Sequence, residues 1–93
     1  MRLGSMKFEW DPNKAASIVV KHDVSFATAM HVFVDPFLCE INDEDDGQEV
    51  RYNAVGLVEG RLLHVTYTMR RDVYRIISAR AAEPHERRRY RQG

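Results

Sequence analysis

The sequence predicts an α+β domain: an antiparallel β-meander with two helices before it and one after it, in the order β-α-α-β-β-β-β-α. Three observations predict it. From residue 37 onward, four runs rich in β-branched and aromatic residues are separated by short turns, which pairs sequence neighbours antiparallel. Ahead of them stand two helix starts, Asp11-Pro12 and Ser25. Behind them stands a third, Pro84, opening an arginine-rich stretch. At 93 residues and 44% apolar content, one domain with a real but modest core is expected.

Met6 to Trp10 alternates weakly and reads as a first strand. Asp11 caps a helix that runs to about His22, with Ala15, Ile18, Val19 and then His22 along one stripe. Ser25 caps a second helix, Phe26 to Phe33, which buries Phe26, Ala29, Met30 and Phe33 and stops at Asp35-Pro36. Phe37 to Ile41 is the next strand, and Asn42 to Gln48 an acidic loop. Val50–Val58 and Arg61–Met69 form a hairpin about Glu59-Gly60. Arg70-Arg71-Asp72 turns into a last strand, Val73 to Ala79, and a final helix spans roughly Glu83 to Arg91. Met1 to Ser5 reads as a vector remnant or an upstream start, with the single domain running 6–93.

The formal net charge of zero hides a division. Residues 1–50 carry −6 and residues 51–93 carry +6. Every basic residue of the second half is arginine, whose planar fork suits phosphate. That half therefore suits a polyanion or an acidic partner, or else a solvated helix face with internal ion pairs. No run is long and apolar enough for a membrane span, and no secretion signal stands at the start. A lone cysteine, Cys39, in an apolar strand points to packing and to a reducing cytosol. The histidines and Cys39 lack zinc spacing, there is no glycine-rich phosphate loop, and Asp43 to Asp46 lack the glycine and final glutamate of a calcium loop. No metal or cofactor is expected.

RNA cleavage without a metal needs a base for the 2′-hydroxyl, cations for the phosphate oxygens and an acid for the leaving 5′-oxygen. Arg80, at the end of the last strand, suits the cation role, and His22, Glu86 or Tyr90 the proton transfers. Each has a structural alternative: Glu86 as a salt bridge, Tyr90 as packing under the helix, His22 as a cap or core residue. Glu86 and Tyr90 share a helix face with Arg87 and Arg91 in the next row. Arg70, Arg75, Arg87 and Lys21 are candidate RNA contacts, and Trp10 can stack on a base or sit at the core rim. In a regular strand Arg75 and Arg80 project to opposite faces, so only a bulge or bend can bring both to one site.

Three blocks resemble the BrnT family, toxins of type II toxin–antitoxin pairs. They are Phe8-Glu9-Trp10-Asp11-Pro12-Asn13-Lys14 with Lys21-His22 and Val24-Ser25-Phe26, then Leu62 to Thr68, then Arg75 to Ala81 with Glu86-Arg87 and Tyr90. Together they span nearly all of 6–91. The resemblance implies a RelE-like fold, RNA cleavage that inhibits translation, and a ribbon-helix-helix antitoxin, BrnA, through which operator DNA is bound only indirectly. The chain departs from the family at Asp23, where glycine is common, and at Ile18, where asparagine is frequent. Two other roles stay open: an RNA- or ribosome-binding module that does not cut, and an interaction subunit or inactive toxin. The opposed charges also suggest a homodimer in which Asp43–Asp46 meet the basic surface of a second copy.

Overall fold

A computed structural model describes residues 1–45 and 47–92. The elements are β1 (Arg2–Leu3), β2 (Met6–Glu9), α1 (Pro12–His22), α2 (Phe26–Ala29) continuing as a 3-10 turn (Met30–Val34), β3 (Cys39–Asp45), β4 (Val50–Val58), β5 (Arg61–Arg70), β6 (Val73–Ala81) and α3 (Pro84–Gln92). The α+β class and the antiparallel meander β3 to β6 are as expected. The sheet as a whole is not an antiparallel meander. Its order is β1-β2-β6-β5-β4-β3, and β2 pairs with β6 in parallel, Phe8 beside Tyr74. The reason is topological. The helices carry the chain from β2 to the far edge, where β3 runs opposite to β2. Three reversals later, β6 arrives beside β2 pointing the same way.

Several boundaries differ from expectation: β3 starts at Cys39, β6 runs on to Ala81, and the second helix is α only to Ala29. Ahead of β2, β1 (Arg2–Leu3) folds back on it through Gly4, whose φ of 61° suits a residue without a Cβ. β3 runs on through Asn42 to Asp45, where a loop was expected, because Glu44 and Asp45 pair with Arg51 and Val50. Ladder pairing, with an arginine opposite a glutamate, overrides the low strand propensity of acids. Asp46, the last of the acidic run, lies outside the described residues.

Helix starts follow their caps. Asp11 accepts from the Asn13 and Lys14 amides, and the Ser25 hydroxyl accepts from the Thr28 amide. At the end of α1, Asp23 adopts φ 56° and ψ 38° and returns its amide to the Val19 carbonyl. The left-handed cap that glycine usually supplies is thus made by aspartate. Ala15 and Ile18 face the core as the stripe implies, but Val19 is 43% exposed and His22 is exposed.

Along β5 the side chains alternate. Leu63, Val65 and Tyr67 face α1, α2 and the 3-10 turn, and with Phe8, Phe26, Val32 and Ile76 they build the core or its aromatic border. The helix layer presses closely on β4: a Cβ added to Gly56 would stand 2.8 Å from Val32 Cβ. His64, Thr66 and Thr68 face the other way. Among the described residues, α3 is the helix that packs on that second face.

Candidate active site

A β-bulge organises the open face. The β5–β6 register runs Thr66 to Ser78 and then jumps to Tyr67 with Ile76, so Ile77 is the extra residue. The bulge reverses the alternation of β6. Arg75 pairs with Thr68, Ser78 with Thr66 and Arg80 with His64, all on the open face, while Ile76 and Ala79 are both buried. Arg75 and Arg80 therefore share a face, contrary to the regular-strand expectation, although about 15 Å of strand separates them.

Arg80 lies at the centre of a polar cleft of about 390 Å³. Its floor is Asn53, His64, Thr66 and Ser78, one wall is Ile41, Asn42 and Glu44, and the rim is the first turn of α3 with Glu83, His85 and Glu86. Glu86 reaches back from α3 and grips Arg80 at two points, Nη1–Oε1 2.8 Å and Nη2–Oε2 2.9 Å. It also accepts from the Glu83 amide at 2.8 Å, and its other oxygen lies 3.5 Å from His64 Nε2. Glu83, exposed, makes a looser contact with Arg80 at 3.3 Å. Thr66 donates to Asn53, which donates to the Asn42 carbonyl, so the floor is internally satisfied.

These contacts set the charge states. Burial would raise the Glu86 carboxyl, but Arg80, the Glu83 amide and His64 outweigh it and pull the group down to about 2. The hydrogen bonds from Glu86 push Arg80 above its ordinary value, against the opposing effect of burial. Burial holds His64 below its ordinary value; Glu86 opposes this and Arg80 adds to it. Glu86 is thus held as an anion, and the His64 imidazole beside it is held towards its neutral form. Three carboxylates, Glu44, Glu83 and Glu86, face one guanidinium, so the cleft is not a simple basic groove.

Of the residues that the sequence proposes, the fold brings Arg80 and Glu86 together and leaves the rest elsewhere. Tyr90 is one helical turn further on, donating to Asp35 Oδ2 at 2.6 Å. That bond, with some burial, pushes its hydroxyl up to about 12. Lys21 and His22 end α1 in the opposite layer, both exposed. Trp10 lies half-buried, edge-on to Phe26. Arg75 is paired with Glu9 at 2.6 Å, Arg70 approaches Glu49 at 3.9 Å, and Arg87 donates to the Ala82 carbonyl at 2.7 Å. The internal ion-pair reading holds for Arg75; the Arg70 contact is exposed, and Arg87 bonds a backbone carbonyl. Sequence reasoning did not single out His64, which lines the candidate cleft. Its signal was present: the alternation Leu63-His64-Val65-Thr66 places a histidine on a polar strand face.

Glu83, His85 and Glu86 bring one possible ligand atom each within 4.8 Å of one another. The Glu86 and Glu83 carboxylates already bind Arg80, so a cation would have to displace a guanidinium.

The model of the family described as the ribonuclease toxin BrnT of type II toxin–antitoxin systems matches residues 10–86. The chain belongs to this family. The match runs from Trp10 to Glu86 and so contains His22, His64, Arg80 and Glu86, whereas Tyr90 falls beyond it. As a BrnT-family toxin of a type II pair, the chain has an antitoxin as its counterpart. No curated protein matches the chain. Among the described residues no helix is long and apolar enough to cross a membrane.

Proposed function

We propose that this BrnT-family chain cleaves RNA in the cleft above Arg80, without a metal, by attack of a 2′-hydroxyl on the adjacent phosphate. The observation that carries the reading is the contact set of His64, Glu86 and Arg80 within an open polar cleft. His64, neutral near pH 7, accepts the 2′-hydroxyl proton. The 2′-oxygen bonds to phosphorus and the bond to the 5′-oxygen breaks, leaving a 2′,3′-cyclic phosphate and a 5′-hydroxyl once that oxygen is protonated. His85, on the rim, is placed to deliver that proton. Arg80 stabilises the charge on the phosphate oxygens. Glu86 is a positioning residue that orients the guanidinium, and the exposed Glu83 is the contact a phosphate displaces. His22, Tyr90, Lys21, Trp10, Arg70, Arg75 and Arg87 lie outside the cleft and take no chemical step in this proposal. Arg75, on the same open face, is the best placed of them to follow an RNA strand beyond the cleft.

The proposed partner is a BrnA-like ribbon-helix-helix antitoxin, with operator DNA bound through it. A second reading is RNA or ribosome binding without cleavage; the carboxylates around Arg80 outnumber it, which weighs against charge stabilisation in the cleft.

The experiment is incubation of the purified chain with 5′-labelled RNA, with and without EDTA, and analysis of the product ends. Cyclic-phosphate ends that persist in EDTA and vanish in folded His64→Gln support the reading. Intact RNA bound by the chain supports the second. Cleavage abolished by EDTA removes the metal-free route.

A further inference from the structure

A second concavity, of about 700 Å³, lies at the other end of α3, between residues 37–40 and the last turn of that helix. Its walls are mainly carbon: Phe37, Leu38, Cys39 and the Tyr90 ring. Phe37 is 73% exposed, unusual for a phenylalanine with no functional reason to face water. Arg89 and Arg91 border the hollow, and among the described residues neither has a carboxylate within ion-pair distance. Among the described residues of the lining the carboxylate is that of Glu40, which accepts from the Tyr67 hydroxyl at 3.1 Å.

We infer that this hollow is a docking site for an acidic peptide segment of a partner protein, one apolar side chain seated against Phe37 and flanking carboxylates on Arg89 and Arg91. Charge complementarity selects an acidic occupant, and bidentate arginine–carboxylate pairing gives it register. The carbon walls ask for an apolar anchor, the kind of contact that dominates small interfaces. A continuous chain of phosphates fits less well. The same edge strand exposes Glu40, Asp43, Glu44 and Asp45, which would repel it beyond the two arginines. The hollow is separate from the Arg80 cleft, so the inference stands whether or not the chain cuts RNA. Occupancy would grip the helix whose first turn holds Arg80.

The test is selection of displayed random short peptides on the wild-type chain, with counter-selection on the Arg89→Glu/Arg91→Glu variant. All the substituted residues are on or near the surface, and circular dichroism verifies folding of each variant. Enriched peptides are expected to combine Asp or Glu with one large apolar residue. A synthetic representative should lose about tenfold or more in affinity with Phe37→Ala and with the charge reversal, as when an interface anchor is removed. Arg88→Glu, off the hollow, should change affinity no more than about twofold, the scale of a rim charge. Oligouridylate of matched charge should not displace the peptide. No enrichment, enriched peptides without acids, or binding indifferent to Phe37 and Arg89/Arg91 would overturn the inference. Displacement by oligouridylate would assign the surface to RNA instead.

Discussion

Arg80 and Glu86 bind each other through both nitrogens and both oxygens, at 2.8 and 2.9 Å, across the junction of β6 and α3. The carboxylate is almost fully buried, with 5% of its side chain exposed, while the guanidinium keeps 29%. One pair thus does two things: it seats α3 on the open face, and it aims the arginine that lines the cleft. Removing either partner has a structural effect before it has a chemical one.

Arg80→Ala leaves the Glu86 carboxylate buried without its main partner. The expected loss is about 2 kcal/mol, below that of a fully enclosed pair because Arg80 retains water. Urea denaturation of Arg80→Ala, Glu86→Ala and the double variant should give a coupling of about 1–2 kcal/mol. Additive losses would show that the pair does not hold α3. Loss of toxicity in Arg80→Ala is informative only beside this measurement, and Arg80→Lys, which keeps the charge but not the fork, is the sharper variant.

The Glu86 carboxyl titrates near 2 in the fold against an ordinary value of 4.5, so its contribution to stability is complete above about 4.5 and is lost as pH falls towards 2. His64, held below its ordinary 6.5, acts in the same direction: the unfolded chain takes up its proton first, and stability declines as pH drops below 6.5. The expected profile is a plateau near neutrality, a shallow fall below about pH 6.5 and a steeper one below about pH 4.5. In Glu86→Gln the steep part should flatten. If thermal unfolding of wild type and Glu86→Gln falls in parallel between pH 5 and 2, as measured on the same buffer series, the carboxylate is not the acid-sensitive group.

Much of this architecture was legible in the chain. β4 is bounded as read, because the apolar run is closed by Glu59-Gly60, whose φ values of 51° and 81° make the left-handed turn such a hairpin requires. What was not legible depends on pairing partners distant in sequence. The parallel β2–β6 pair has no local signature. The bulge at Ile77 adds one residue to an otherwise regular alternation, and it decides which face Arg80 occupies. Glu44 and Asp45 read as loop until Arg51 and Val50 are set opposite them. Of the candidate cleft, Arg80 and Glu86 stood out by position, whereas His64 sits sixteen residues before Arg80 and meets it only through the β5–β6 register.

Tyr90 is expected to act as a strut. Its hydroxyl donates to Asp35, whose carboxylate also accepts from the Leu57 and Phe37 amides and ties α3 to the sheet edge. Tyr90→Phe should lower stability by about 1 kcal/mol or less, as for one partly solvated hydrogen bond, and leave RNA cleavage within about threefold of wild type. A cleavage loss above a hundredfold in a folded Tyr90→Phe protein would return the residue to proton transfer.

Gly56→Ala tests the closeness of the helix layer. The added methyl would stand 2.8 Å from Val32 Cβ and 3.1 Å from two Val32 backbone atoms, so the 3-10 turn must move. The expected cost is about 1–3 kcal/mol, read by chemical denaturation. Val32→Ala in the same chain should recover part of it. A Gly56→Ala protein as stable as wild type would mean that the 3-10 turn yields freely.

His64 carries the last prediction, because its charge state separates chemistry from packing. If neutral His64 is the base, cleavage falls in acid with a midpoint below about pH 6.5, since burial depresses the group in the fold. His64→Gln keeps volume and polarity but takes no proton. It should reduce the rate by about 10²–10⁴-fold and abolish the acid limb while the protein stays folded. Glu86 opposes the depression of His64, so folded Glu86→Gln should shift the limb to lower pH. A purely structural His64 would lower activity in proportion to folded protein and leave the shape of the pH profile unchanged. Single-turnover cleavage of one defined RNA across pH 4.5–8, with circular dichroism at each point, distinguishes the two.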